Sequence, residues 1–285
     1  MRYLPSVIVA LWASFNLFAQ QGNMIGRQSQ NVGMPVTPAP GKINIDGELS
    51  DWDWSGRIWV FADTTVRSRY SVEAAAMWDA DYLYLAAKWK DPTPMYNTID
   101  PVADPSMGWK SDSWQIRVRS GDLISHFTTW FYAPKETPVL QITYGKSATE
   151  AYGGASMLLT GSKGVSALKI LNADEKPGQM LPSRPAPGEA AMAYRADADG
   201  KGYVQELRIP WKLLYRQVPS IKAGIHLQIG NEFLWGDPSG KTLPVHRYAD
   251  NMQEGQTTRQ FYWETSRVWG NADLLDHGHV PVREY

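Results

Sequence analysis

The chain has 285 residues, 43% of them hydrophobic, with a formal net charge of −1 and a pI of about 6.5. That length can bury one large core, and the lack of a long basic run excludes the electrostatic footprint of a nucleic-acid binder or of a polybasic membrane-surface segment. There is no cysteine, which excludes disulfides, thiolate metal sites and cysteine nucleophiles.

Residues 1–19 read as a secretion signal. Arg2 supplies the positive start, Leu4 to Phe18 the apolar run, and Ala19 precedes Gln20-Gln21. The run is too short, and too interrupted by Ser14 and Asn16, for a membrane span. The expected location is therefore secreted or periplasmic. Residues 20–40, rich in Gln, Asn, Gly and Pro, read as a flexible leader. Residues 41–285 then form one domain, with no internal repeat.

Strands are expected at 42–45, 57–61, 72–78, 82–90, 113–119, 125–133, 139–144, 192–195, 202–209, 224–232 and 259–263. Asp79-Ala80-Asp81 separates two apolar runs and reads as a hairpin turn. Pro210 opens a short helical turn at Trp211. Residues 161–190 are proline-rich after Lys176 and read as a long irregular insert, and residues 92–105 as a second excursion. Strands punctuated by turns, with little helix, give an all-β fold, an antiparallel β-sandwich.

Alternation assigns faces. Trp114, Ile116 and Val118 face the core, leaving Gln115, Arg117 and Arg119 on a polar face. Phe127, Thr129 and Phe131 oppose His126, Thr128, Trp130 and Tyr132. Ile225, Leu227 and Ile229 oppose His226 and Gln228. If these polar faces share one sheet, they make a hydrogen-bonding surface with aromatic groups at its rim, Trp109 just ahead of it, a chemistry that suits sugars. A solvated sheet face is the simpler alternative for any one of these residues. Asp104, Asp112, Glu206 and Glu232 offer no evident acid/base pair. There is no G-x-S-x-G, no HExxH and no GxGxxG in context. His277-Gly278-His279 lacks a third metal ligand.

The order of motifs resembles family 9 carbohydrate-binding modules and the wider DOMON-like sandwich group, whose sandwich is immunoglobulin-like. The residues are Ile45-Asp46-Gly47-Glu48 with Trp52, then Trp78-Asp79 with Tyr82-Leu83-Tyr84. Lys90-Asp91-Pro92, Trp109-Lys110-Ser111-Asp112-Ser113 and Gly202-Tyr203 with Glu206 and Ile209-Pro210-Trp211 follow. Trp263 and Trp269 resemble the final strand region. The resemblance implies non-catalytic carbohydrate binding, with a polysaccharide or oligosaccharide clamped between two tryptophans, which map onto Trp109 and Trp269. Gln115, Arg117, Thr128, Trp130 and Gln228 would contribute from the sheet. A family acid stands as Gln115 here, and a family arginine as Thr128. The resemblance also implies structural Ca2+, for which Asp46, Glu48 and Asp51, near Asp53, have the right hardness; turn capping is the simpler role for these carboxylates. A separately encoded glycoside hydrolase is the partner such a module implies. Two alternatives stay open. One is a haem-binding electron-transfer module, with Met77, Met95, His126 and Lys88 as conceivable ligands. The other is a glycan-processing enzyme.

Overall fold

The computed structural model describes residues 24–30, 33–61, 66–236 and 269–284. The expected signal at 1–19, the expected strand at 259–263 and Trp263 lie outside them. The strands in chain order are β1 (Met24–Gln30), β2 (Val36–Pro38), β3 (Ile58–Phe61), β4 (Ser71–Trp78), β5 (Tyr82–Lys90), β6 (Ser113–Ser120), β7 (Leu123–Tyr132), β8 (Thr137–Gly145), β9 (Ala155–Ser162), β10 (Val165–Asp174), β11 (Ala191–Ala196), β12 (Gly202–Pro210), β13 (Gln228–Gly236), β14 (Gly270–Asn271) and β15 (Arg283–Glu284). One short α-helix, α1 (Ala148–Gly153), follows β8.

Two sheets face each other. The first runs β1-β13-β6-β7-β8-β9-β10 and the second β11-β12-β5-β4-β3-β15, joined where β10 meets β11 at the pair Ala167 and Ala191. β2 and β15 join the second sheet in parallel, against β4 and β3; the other pairings of these two sheets are antiparallel. This is the expected all-β sandwich.

Period-two alternation on both sheets builds the core. Trp114, Ile116, Val118, Phe127, Leu140 and Ile142 point in from the first sheet, and Val72, Leu83, Leu85, Trp89 and Leu207 from the second. The aromatic content serves this core. Trp89 stacks on Tyr203 at 5.3 Å between centroids and meets Phe233 and Trp235 edge-on, while Trp114 stacks on Phe233 at 5.4 Å. Each such ring contributes about 1.5–3 kcal/mol by burial alone. Two polar pairs are made inside the core, while Trp89 Nε1 and Tyr144 OH find no partner among the described residues. Gln205 Nε2 donates to Thr129 Oγ1 across the sheets at 2.7 Å, and Trp114 Nε1 donates to Asn231 Oδ1 at 3.0 Å.

Several expectations are corrected. The stretch read as a flexible leader contributes β1 and β2, which take ladder positions beside β13 and β4. The first part of the insert at 161–190 is regular, because β10 continues a hairpin from β9. Residues 42–45 form no strand: Asn44 N–H goes to the Asp51 carboxylate instead of a ladder. The strand expected at 224–232 is β13 and lies four residues further on. Ile225 and Leu227 pair instead with the segment after β14, accepting from Leu274 and Ala272 N–H.

Candidate functional site

On the outward face of the first sheet, register places polar residues in rows. Gln228, Arg119 and Ile124 are aligned across β13, β6 and β7. The next row is Gly230, Arg117, His126 and Thr143, and the third is Glu232, Gln115, Thr128 and Gln141. Gln115, Arg117, Thr128 and Gln228 therefore do share one surface, as expected. Glu232, Gln141 and Thr143 join it and were not placed on this surface from the sequence. Their membership depends on cross-strand register, which alternation within one strand cannot supply.

The rows are wired together. Gln115 Nε2 donates to Glu232 Oε2 at 2.7 Å. Gln115 Oε1 lies 3.1 Å from His126 Nε2 and accepts from Arg117 Nη2 at 3.5 Å. Since the amide NH2 must face the carboxylate, its oxygen faces His126, and the imidazole carries its proton on Nε2. Burial, with Arg117 second, holds the His126 pKa well below the usual imidazole value, so the ring is neutral. Glu232, Gln115, Arg117 and Thr128 are buried, whereas His126, Gln141, Thr143 and Gln228 are half-buried and Arg119 is exposed. The surface thus offers fixed donors and acceptors of both kinds, backed by one carboxylate and one guanidinium. His226, expected near Gln228, is paired with Asp273 Oδ1.

The tryptophans fall differently. Trp109 sits half-buried in a single 3-10 turn at Gly108–Lys110. Trp130 is fully buried beneath that turn. A Cβ on Gly108 would lie 2.3 Å from the Trp130 ring, and Trp130 Nε1 donates to Ile99 O at 3.0 Å. Trp269 is 4% exposed and packs with Ile124 and Ala151. Trp130 and Trp269 are therefore packing groups in this structure. The surroundings of Trp109 and Trp269, near Trp130 and Ile124, lie six residues apart along β7, roughly 20 Å at the rise of a strand. The two mark opposite ends of the polar face instead of meeting over one ring.

The acidic cluster does not fit a calcium cage. Asp46 Oδ1 accepts from Glu48 N, Glu48 pairs with Arg195, and Asp51 Oδ2 accepts from Asn44 N. Asp51 Oδ1 has no protein donor, but calcium takes six to eight oxygens. Among the described residues no three His, Asp or Glu side chains converge on a metal-sized space. Of the conceivable haem ligands, Met77 and His126 do not converge either. Met77 lies in the cluster outside the second sheet and His126 on the outer face of the first, with the sandwich between them.

The resemblance motifs meet in pairs. Glu206 Oε2 accepts from Asp46 N at 2.9 Å and from Gly47 N, and Glu206 Oε1 accepts from Trp52 Nε1 at 2.6 Å. Gly47 has φ +89°, which the turn requires. Trp211 Nε1 donates to Asp79 O at 2.9 Å. Asp91 and Asp112 form a third pair.

No protein-family model matches the chain, and no curated protein sequence matches it. Solved structures do. A carbohydrate-binding module of family 9 from Caldicellulosiruptor kristjanssonii in complex with cellotriose is 13% identical with a TM-score of 0.42, over 85% of this chain and 93% of that one. A carbohydrate-binding module of family 9 from the same organism in complex with glucose is 12% identical with a TM-score of 0.41, over 84% and 95%. A provisionally assigned carbohydrate-binding protein from Bacteroides uniformis ATCC 8492 is 10% identical with a TM-score of 0.44, over 86% and 100%. Among the described residues no helix is long and apolar enough to cross a membrane.

Proposed function

We propose that the protein is a non-catalytic carbohydrate-binding module that takes a glycan on the outer face of β13, β6, β7 and β8. The observation that carries this reading is the grid of aligned hydrogen-bonding side chains centred on Gln115, with His126, Thr128, Gln141 and Gln228 around it and Glu232 and Arg117 behind. Pyranose hydroxyls each donate and accept, so a surface of fixed mixed polarity can satisfy several at once. Trp109, at the end of this face, supplies the aromatic contact to the apolar side of a ring. The motif series in the sequence supports the same reading. In this role the protein is secreted or periplasmic and captures polysaccharide alongside a separately encoded glycoside hydrolase.

The test is a glycan-array screen of the chain from Gln20, with Trp109→Ala and Arg117→Ala alongside. Selective binding is expected, weakened in each variant by about 1–3 kcal/mol, as for anchor residues in binding sites. Absence of binding across plant, algal and bacterial glycans overturns the reading, and undiminished binding in both variants overturns the site.

A further inference from the structure

The segment 92–111 closes over one end of the polar face. Asn97 Nδ2 donates to Gly108 O and Asp112 O, Asn97 O accepts from Ala133 N, and Tyr132 OH donates to Asp100 Oδ2. At the root of this segment two carboxyls are buried against each other. Asp91 directly follows β5 and Asp112 immediately precedes β6; both are almost wholly buried, and the charge of Asp91 acts on Asp112. Asp112 Oδ2 accepts from Tyr96 N at 2.7 Å, and Asp112 Oδ1 accepts from Gly236 N at the end of β13. Asp91 Oδ1 accepts from Thr93 N at 2.8 Å and from Thr93 Oγ1 at 3.3 Å. Among the described residues Asp91 Oδ2 has no hydrogen-bond partner. Two carboxylates ionised side by side in a buried site repel, so the pair favours keeping one proton between them.

We propose that the Asp91–Asp112 pair is a proton-dependent clasp that holds the 92–111 segment against β7 while one proton is shared and loosens it when both carboxyls ionise. Among the described residues no cationic side chain pairs with either carboxyl. Tyr203 of β12 faces both carboxyls and Tyr194 of β11 faces Asp112, and burial pushes both phenols up, away from the range in question. β13 contributes the Gly236 N–H and no charge. Lys201 offers its backbone carbonyl to Asp91 N–H at 3.0 Å, and Lys90 is exposed. Burial raises Asp91 to about 6 and Asp112 well above the usual carboxylate value, burial being the larger cause for Asp112 and the Asp91 charge the next. A carboxyl raised on closure favours the closed state fully below its ordinary pKa and loses that contribution as pH rises through the raised value. Closure is thus an acid-side state, and it anchors the turn that carries Trp109 whether or not a sugar binds there.

The experiment is amide hydrogen exchange on the full chain without ligand, at pH 5 and pH 8, corrected for the intrinsic chemical rate. Protection of Tyr96 and Ala133 N–H, relative to amides of β4 and β5, is expected to fall by about tenfold or more between the two pH values. In Asp91→Asn an amide NH2 donates to Asp112 without titrating, and protection is expected to stay high and flat. Relative protection unchanged with pH in the wild-type chain overturns the clasp, so the test stands even where the variant does not fold. The wild-type pH profile retained in Asp91→Asn overturns it too. Recovery of protection at pH 8 by calcium chloride puts a cation in the proton's place and overturns the proton-sharing proposal.

Discussion

Glu206 is the residue whose burial the sequence least prepares for. It projects from the outer face of β12, not from the core face, yet it is fully buried because residues 43–52 fold over it. Its two oxygens take three donors, and burial still raises its pKa to about 7. A glutamine there keeps one acceptor oxygen for the Asp46 and Gly47 N–H groups and turns an NH2 toward the Trp52 indole N–H. A protonated glutamate keeps a lone pair on each oxygen, so the loss is specific to the amide. Glu206→Gln is expected to cost about 1–3 kcal/mol at pH 5, the cost of one orphaned buried donor. Trp52→Phe in that background should recover part of it, because the orphan is removed. Denaturant unfolding of both variants checks this, and no recovery in the double variant rejects the donor–donor account. Gln115 follows a related logic. It stands across the ladder from Glu232, and a second carboxylate in register at this buried spot would repel the first. The amide at 115 was readable from the sequence, whereas its partner at 232 needed the register between β6 and β13.

Among the elements, the β4–β5 hairpin is the best specified. Its strands and turn match the sequence reading within a residue because alternation and an Asx turn coincide. Asp79 Oδ1 accepts from Asp81 N and Tyr82 N, both at 2.8 Å, and Asp79 Oδ2 accepts from Tyr84 OH at 2.6 Å. Trp211 then closes over the same turn. Asp79→Ala is expected to destabilise by about 2 kcal/mol or more, since hydrogen bonds to charged groups contribute about 1.5–3 kcal/mol each when intact and this turn is part-exposed. Thermal or denaturant unfolding measures it; a loss below about 0.5 kcal/mol, the ordinary surface range, would mean the turn holds without its acceptor. β10 was missed for the opposite reason. Of its ten residues only Leu168 is fully buried, so its sequence shows no clean apolar face, and it is a strand through its ladder to β9 and its one pair with β11. β1 was hidden by a Gln- and Ser-containing sequence that advertises no apolar face, and it forms on the far side of β13.

At the scale of the molecule, the motifs that carried the resemblance prove to be joints. Asp46, Gly47 and Trp52 meet Glu206, Trp78-Asp79 meets Trp211, and Asp91 meets Asp112. Motifs of this kind announce the fold, because each pairs segments far apart in sequence, and they say less about what binds on the outer face. Two of the three joints rest on buried carboxyls with raised pKa values, so the sandwich as a whole acquires a pH dependence. Glu206 and the Asp91–Asp112 pair each add stability that is complete below the ordinary carboxylate pKa and is lost as pH rises, through about 7 for Glu206 and about 6 for Asp91. His126, held neutral, acts in the opposite sense, its contribution being present above the ordinary imidazole pKa and lost in acid. Two carboxyl sites against one imidazole give the carboxyls the larger share between pH 5.5 and pH 8. The melting temperature is therefore expected to be higher at pH 5.5 than at pH 8, and the Glu206→Gln and Asp91→Asn double variant to lose most of that difference. Scanning calorimetry across this range decides it. A wild-type chain that melts higher at pH 8 would mean that His126 outweighs the joints, or that the carboxyls are ionised in the folded state and their donors, not a proton, hold the segments together.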